Sequence, residues 1–176
     1  MAETDDPSPQ VAVVGVGNEI MRDDGVGPRV IAELESRPAA ETDEVRLYDA
    51  GTTAFLALEA MSGCERAIVI DAIRTGGEPG TVQEYRFVDG AFDGEAPEMT
   101  MHDVSFTEAL GYAEDAYDLP DDVLVLGVEP ATIEPGTALS ERVERAVPSV
   151  VDAILERLPV PESEESTDEI LRAMDD

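Results

Sequence analysis

Apolar residues along the chain fall into short Val- and Ile-rich runs that alternate with segments of helical periodicity. Val11 to Val16 is such a run, broken by Gly15, Gly17 and Asn18, and predicts a buried strand feeding a turn. A helix is expected next, because Val26, Val30, Ile31 and Leu34 recur on one face and Pro28 fits its first turn. Val45, Leu47 and Tyr48 predict a second strand before the turn Ala50-Gly51-Thr52, and Phe55, Leu56, Leu58 and Met61 a short second helix. The clearest strand is Arg66 to Ile73, which carries Ala67-Ile68-Val69-Ile70 and Asp71.

Beyond it the alternation breaks. Arg74 to Gly80, with Gly76-Gly77 and Pro79-Gly80, is too short for a helical crossover, so the strand at Thr81 to Phe87 is expected to run antiparallel to the others. Val88 to Met101 reads as a polar loop, Asp103 to Tyr117 as a helix, and Val123 to Val128 as another buried strand. The last helix should run from about Ser140, its N-cap, to Leu158, with Val143, Val147, Val150, Val151 and Ile154 buried and a kink at Pro148. Helices alternating with strands give a three-layer α/β/α sandwich on a mixed five-stranded sheet.

One domain, residues 11–158, is the expectation, with residues 1–10 a disordered lead and residues 159–176 an acidic tail in which 168–174 can form a short helix. No apolar run approaches the roughly 20 residues that span a membrane. The start holds Glu3, Asp5 and Asp6 where a secretory signal needs basic and apolar regions, so the cytoplasm is the expected location. The one cysteine, Cys64, excludes an internal disulfide and reads as a small buried hydrophobe.

Charge changes the picture. The chain has 41 acidic and 11 basic residues, a net charge of −30, and every basic residue is Arg. Nucleic acid and anionic membranes are disfavoured partners, since both are bound by Lys and Arg neutralising phosphate. Most of the excess lies between residues 11 and 158, so the fold itself is acidic. In molar salt the Debye length shrinks to about 3 Å and such a surface stops repelling itself, which points to a halophile's cytosol.

Candidate chemistry starts at the turn Gly15-Val16-Gly17-Asn18. A dinucleotide fingerprint would place a third glycine where Ile20 stands, and the following Asp23 and Asp24 would repel phosphate and invite a cation. Asp24 lies in the loop after the first strand and Asp71 closes the third. If those strands are neighbours, both carboxylates face the crevice beyond the strands' carboxyl ends. Either Asp23 or Asp24 can cap the helix, which leaves the other to be explained. His102, the single histidine, sits between a long loop and a helix that return to the same edge. Two carboxylates and an imidazole make a three-ligand site with open positions, suited to Zn, Ni or a similar divalent ion. Cys64 has no histidine near it in sequence, and there is no G-x-S-x-G elbow.

From about Val11 to Leu158 the chain resembles the maturation endopeptidases of nickel-iron hydrogenases. The pieces that carry the likeness are Gly15-Val16-Gly17-Asn18 with Asp23-Asp24 and Gly27, then Asp49-Ala50-Gly51-Thr52, Val69-Ile70-Asp71-Ala72, His102, Leu126-Gly127-Val128-Glu129-Pro130, and Glu134-Pro135-Gly136 through Leu139-Ser140. The resemblance implies a sheet order 2-1-3-5-4 with the fourth strand antiparallel. It also implies that Asp24, Asp71 and His102 are the catalytic and metal-contacting residues. At the first of these positions the family often has Glu, one methylene longer than Asp24. The implied activity is removal of a C-terminal extension from the hydrogenase large-subunit precursor once nickel has been inserted. Nickel is then carried by the substrate as the recognition element, and Zn or Cd are able to occupy the same ligands. A metal held by the enzyme, polarising the scissile carbonyl or activating water, is the other mechanism open to these residues. The main alternative function is a non-catalytic nickel chaperone or assembly factor using the same ligands.

Overall fold

The computed structural model describes residues 9–97, 100–101, 104–105, 109–110, 113 and 116–160. The 1–8 lead, His102, most of the helix expected at 103–117 and the 161–176 tail with its short helix lie outside the described residues. The main sheet is built from β1 (Val11–Gly15), β2 (Val45–Asp49), β3 (Arg66–Ala72), β4 (Val82–Val88), β5 (Ala91–Phe92) and β8 (Asp122–Val128). Its order is β2-β1-β3-β8-β4-β5, and a separate pair joins β6 (Thr100–Met101) to β7 (Val104–Ser105). Parallel pairing links β2, β1, β3 and β8, and β4 runs antiparallel to β8. The five strands expected from the sequence therefore lie in the order 2-1-3-5-4.

The sixth strand is a correction to the polar loop expected over 88–101. Asp89 and Gly90 both take positive φ, 50° and 82°, which is the backbone of a tight hairpin turn. The Asp-Gly pair is the sequence signal for it. The returning β5 brings Phe92 edge-on to Phe87, with ring centroids 5.2 Å apart. The helix expected from Asp103 also starts later, because Val104–Ser105 is strand; residues 109–110 and 113 are helical.

Alternation along the strands sorts side chains to two faces. Val14, Ala67, Val69, Val123 and Val125 pack with α2 (Ala54–Met61), Ala109 and Leu110. Val13, Ile68, Ile70, Leu124 and Leu126 pack with α1 (Val26–Glu35) and α3 (Glu141–Leu155). That is the three-layer sandwich, and its central strands are buried on both sides as a parallel sheet requires. α3 continues through Pro148 with its stripe Val143, Val147, Val150, Val151 and Ile154 buried. Cys64 is buried in the α2 face, and desolvation pushes its thiol pKa up although nearby Arg46 opposes this. It packs as a hydrophobe.

Candidate active site

Strands β1 and β3 are direct neighbours, so the loops leaving their carboxyl ends share one crevice. The chain leaves β1 through Gly17, which has φ 137°, and a Cβ there would lie 1.8 Å from the Asp24 carbonyl oxygen. A Cβ on Gly27 would lie 2.2 Å from the Val16 carbonyl oxygen and 2.6 Å from that of Ile70. These glycines let the Asp24 loop and α1 sit directly on the strand ends. They pack backbone on backbone and leave no phosphate cradle.

The two adjacent acids have separate jobs, and neither caps a helix by its side chain. Residues 22–25 form a single 3-10 turn, and Gly25 stands at the N-cap of α1. Asp23 is fully buried and accepts four hydrogen bonds: from Ala131 N at 2.9 Å, Thr132 N at 3.0 Å, Ser140 N at 2.6 Å and Ser140 Oγ at 2.8 Å. Burial alone would raise its pKa; these donors outweigh that and hold the carboxyl below its ordinary 3.8. Ser140, which precedes α3 as expected, thus spends its hydroxyl on Asp23 instead of capping its own helix.

Asp23 anchors the segment 131–140, and further bonds lock it. Arg22 N donates to Gly136 O at 2.8 Å, Gly136 N to Ile20 O at 2.9 Å, and Arg22 pairs with Glu134 at 3.1 Å. Arg22 itself is held at φ 47°, a strained value for a non-glycine residue. The clamp fixes the half-buried Asp24, which accepts a hydrogen bond from Asn18 N at 2.9 Å. The Glu134-to-Ser140 segment noted in the sequence is therefore the outer brace of the Asp24 loop. Nothing short of the tertiary contact links it to Asp23.

Asp71 ends β3 on the α2 side and is only 4% exposed. Its pKa stands well above the ordinary 3.8, raised by burial first and by the neighbouring Asp24 charge second, with the Ala72 N–H opposing them. Asp24 is thus near enough for its charge to act on Asp71, as expected of side chains at the ends of adjacent strands. Two carboxylates so placed, one of them desolvated, form a site whose charge a divalent cation would relieve. Among the described residues no group of three or more His, Cys, Asp or Glu side chains converges, and the proposed third member, His102, lies outside them.

Sequence reasoning gave no role to Glu129, which directly follows β8. It is buried, and its carboxylate accepts from Thr75 N and Thr75 Oγ1, both at 2.7 Å, and from Gly76 N at 3.3 Å. Burial works against the charge, and these donors still hold its pKa below 4.5. Glu129 thereby pins the turn at Thr75 and Gly76, just past Asp71.

Residues 28–157 match the profile of the hydrogenase maturation proteases. The chain belongs to that family. Similar proteins include the hydrogenase expression/formation protein HoxM of Azotobacter vinelandii, 30% identical over 86% of this chain and 73% of that protein. The hydrogenase 2 maturation protease of Escherichia coli is 27% identical over 85% of this chain and 90% of its own. Among solved structures, the hydrogenase maturating endopeptidase HybD from E. coli superposes with a TM-score of 0.70 at 27% identity, covering 85% of this chain and 91% of that one. The hydrogenase 2 maturation peptidase from a Thaumarchaeota archaeon gives 0.63 at 32% identity, over 84% and 97% of the two chains. This maturation protease is accordingly a peptidase, and the crevice at Asp24 and Asp71 is the place in its sheet where ligands of open α/β folds bind. No helix among its described residues is long and apolar enough to cross a membrane.

Proposed function

We propose that this protease removes the C-terminal extension of a nickel-iron hydrogenase large-subunit precursor once nickel is in place, with Asp24, Asp71 and His102 as its working residues. The observation that carries the site is the pair of carboxylates at the ends of β1 and β3, one fixed by the Asp23 clamp and one buried against it. On this reading the substrate's nickel is gripped by Asp24, Asp71 and His102, which places the neighbouring scissile peptide in the crevice. Water then attacks the scissile carbonyl, and its proton passes to a carboxylate and on to the leaving amine. On this reading that carboxylate is Asp71, held ionised by the nickel and so able to accept the proton.

The test is to incubate the protein in high salt with nickel-loaded and nickel-free precursor and to weigh the products. Shortening of the nickel-loaded form alone is the expected result. A large subunit of unchanged mass in both samples means a chaperone that presents metal without cutting.

The same reading includes a working environment of concentrated salt. At a net charge of −30 the native surface repels itself unless counterions screen it. Most of the ion pairs among the described residues, such as Arg86–Asp122 and Arg145–Glu141, are exposed and offset little of this. The melting temperature is expected to fall steeply as salt drops from molar to millimolar. A flat profile over that range would remove the halophile reading and leave the protease reading intact.

A further inference from the structure

A cavity of about 530 Å³ opens beside the crevice, between the turn after β3 and the segment that follows β5. Its lining includes Arg74, Thr75, Gln83, Tyr85, Asp93 and Glu95. Asp71 of β3, Gly127 of β8 and Gln83 of β4 lie in one register row. Neighbouring strands are about 4.8 Å apart, so Asp71 and Gln83 are separated by roughly 10 Å at the backbone. Gly127 has no side chain to stand between them, and Ile73 covers that position.

The cavity wall on the β4 side is ordered. Tyr85 Oη donates to Gln83 Oε1 at 2.9 Å, Gln83 Nε2 donates to Thr75 Oγ1 at 3.2 Å, and Thr75 Oγ1 donates to the buried Glu129 at 2.7 Å. Glu84 also lines the cavity, although its side chain pairs with Arg157 at 2.6 Å, on the α3 side of the sheet. Alternation along β4 puts Gln83 and Tyr85 on the opposite face, so Glu84 meets the cavity through its backbone.

Among the described residues that backbone is unpaired. The Glu129 N–H donates to Thr81 C=O at 2.9 Å, toward β8, and the Asp93 N–H donates to Arg86 C=O at 2.8 Å, away from it. Polar groups of an antiparallel strand alternate in direction, so those of Val82 and Glu84 point outward with Arg86. β5 pairs only with Phe87 and Val88. Among the described residues nothing pairs with the N–H or C=O of Val82 or Glu84.

We propose that the free edge of β4 at Val82–Tyr85 takes up the precursor's polypeptide as an added strand, whose side chains enter the adjoining cavity while its continuation reaches Asp24 and Asp71. An extended peptide is the occupant that fits, because an open strand edge binds main-chain groups whatever the sequence. An added strand would lie about 14 Å from Asp71 at the backbone, a span that roughly four to five extended residues cover. The bound segment is thus a few residues removed from the scissile bond. Gln83 and Tyr85 become specificity-determining contacts, and Glu129 a positioning residue acting through Thr75. This inference rests on the peptidase reading above.

The edge can be tested by deleting one donor. Glu84→Pro removes an outward N–H that β8 does not use, and Arg157→Ala, at a residue outside the edge, controls for the lost Glu84–Arg157 ion pair. With nickel-loaded precursor, Glu84→Pro is expected to raise KM about five- to tenfold, the size of one backbone hydrogen bond, with kcat within about twofold. Arg157→Ala should stay near wild type. Equal KM values for the two variants would overturn the proposal. Because Glu84→Pro can fail to fold, hydrogen exchange on the wild-type protein gives a second reading: a synthetic peptide of the precursor's last 30 or so residues should protect the amides of Val82 and Glu84. Cleavage of nickel-loaded precursor by wild type, without that protection by the peptide, overturns the edge proposal and leaves the peptidase reading standing. Absence of cleavage by wild type overturns the peptidase reading and this one with it.

Discussion

Asp71→Asn is expected to lower cleavage of nickel-loaded precursor by about a thousandfold, within the range for removing a proton-transferring carboxylate. It should do so without unfolding the protein. The substitution keeps size and shape at a site that is 4% exposed and removes the charge that burial and Asp24 both oppose. In metal-free buffer the melting temperature should therefore be unchanged or higher. Its linkage has a definite sign: a carboxyl whose folded pKa is raised stabilises the fold below its unfolded pKa and loses that contribution as pH rises through the folded value. Wild type should gain stability relative to Asp71→Asn as the pH is lowered toward 4. Circular-dichroism melts of both proteins across that range check the sign, and precursor mass checks the activity. A variant that cleaves normally would leave Asp71 without a role in the reaction.

Asp23→Ala is expected to cost about 4 kcal/mol and to abolish activity as well. It strips the acceptor from Ala131 N, Thr132 N, Ser140 N and Ser140 Oγ together, and each buried donor left unpaired costs about 1–3 kcal/mol before any rearrangement. At this chain length that is a fall of roughly 8–16 °C in melting temperature. Activity falls because the 131–140 brace no longer holds the 22–25 turn that carries Asp24. Here the pH dependence runs the other way from Asp71. The folded pKa of Asp23 lies below 3.8, so its contribution is complete above that value and is lost as pH falls through the native one. Wild type and Asp23→Ala should converge in acid. A variant that melts within a degree or two of wild type at neutral pH would show that the brace is held by other contacts.

Local pattern carried much of the fold. Val-rich runs such as Val11–Gly15 and Arg66–Ala72 have to be strands of a sheet covered on both faces, because no other short element buries so continuous an apolar segment. The short link between β3 and β4, residues 73–81, falls below the dozen or so residues that a parallel crossover needs, and β4 runs antiparallel. The hairpin at Asp89-Gly90 does not show in the apolar pattern, because its returning strand, Ala91–Phe92, is only two residues long.

By itself the sequence also singled out Asp24 and Asp71 as the proposed working carboxylates, since one follows the first strand and the other lies at the end of the third, and acids in a glycine turn disfavour phosphate. What it left open was the division of labour between Asp23 and Asp24, which as adjacent residues in one motif are chemically the same. Tertiary structure decides it: Asp23 turns inward to donors 108 to 117 residues away, and Asp24 is left facing Asp71. Glu129 is the same case, an acid in a loop whose partners at Thr75 and Gly76 lie 54 and 53 residues upstream. Periodicity and local propensity reach over one or two turns of chain. Hydrogen bonds that span a hundred residues are fixed only when the sheet closes, and they determine which of two identical side chains is turned inward to brace the fold and which is left at the crevice.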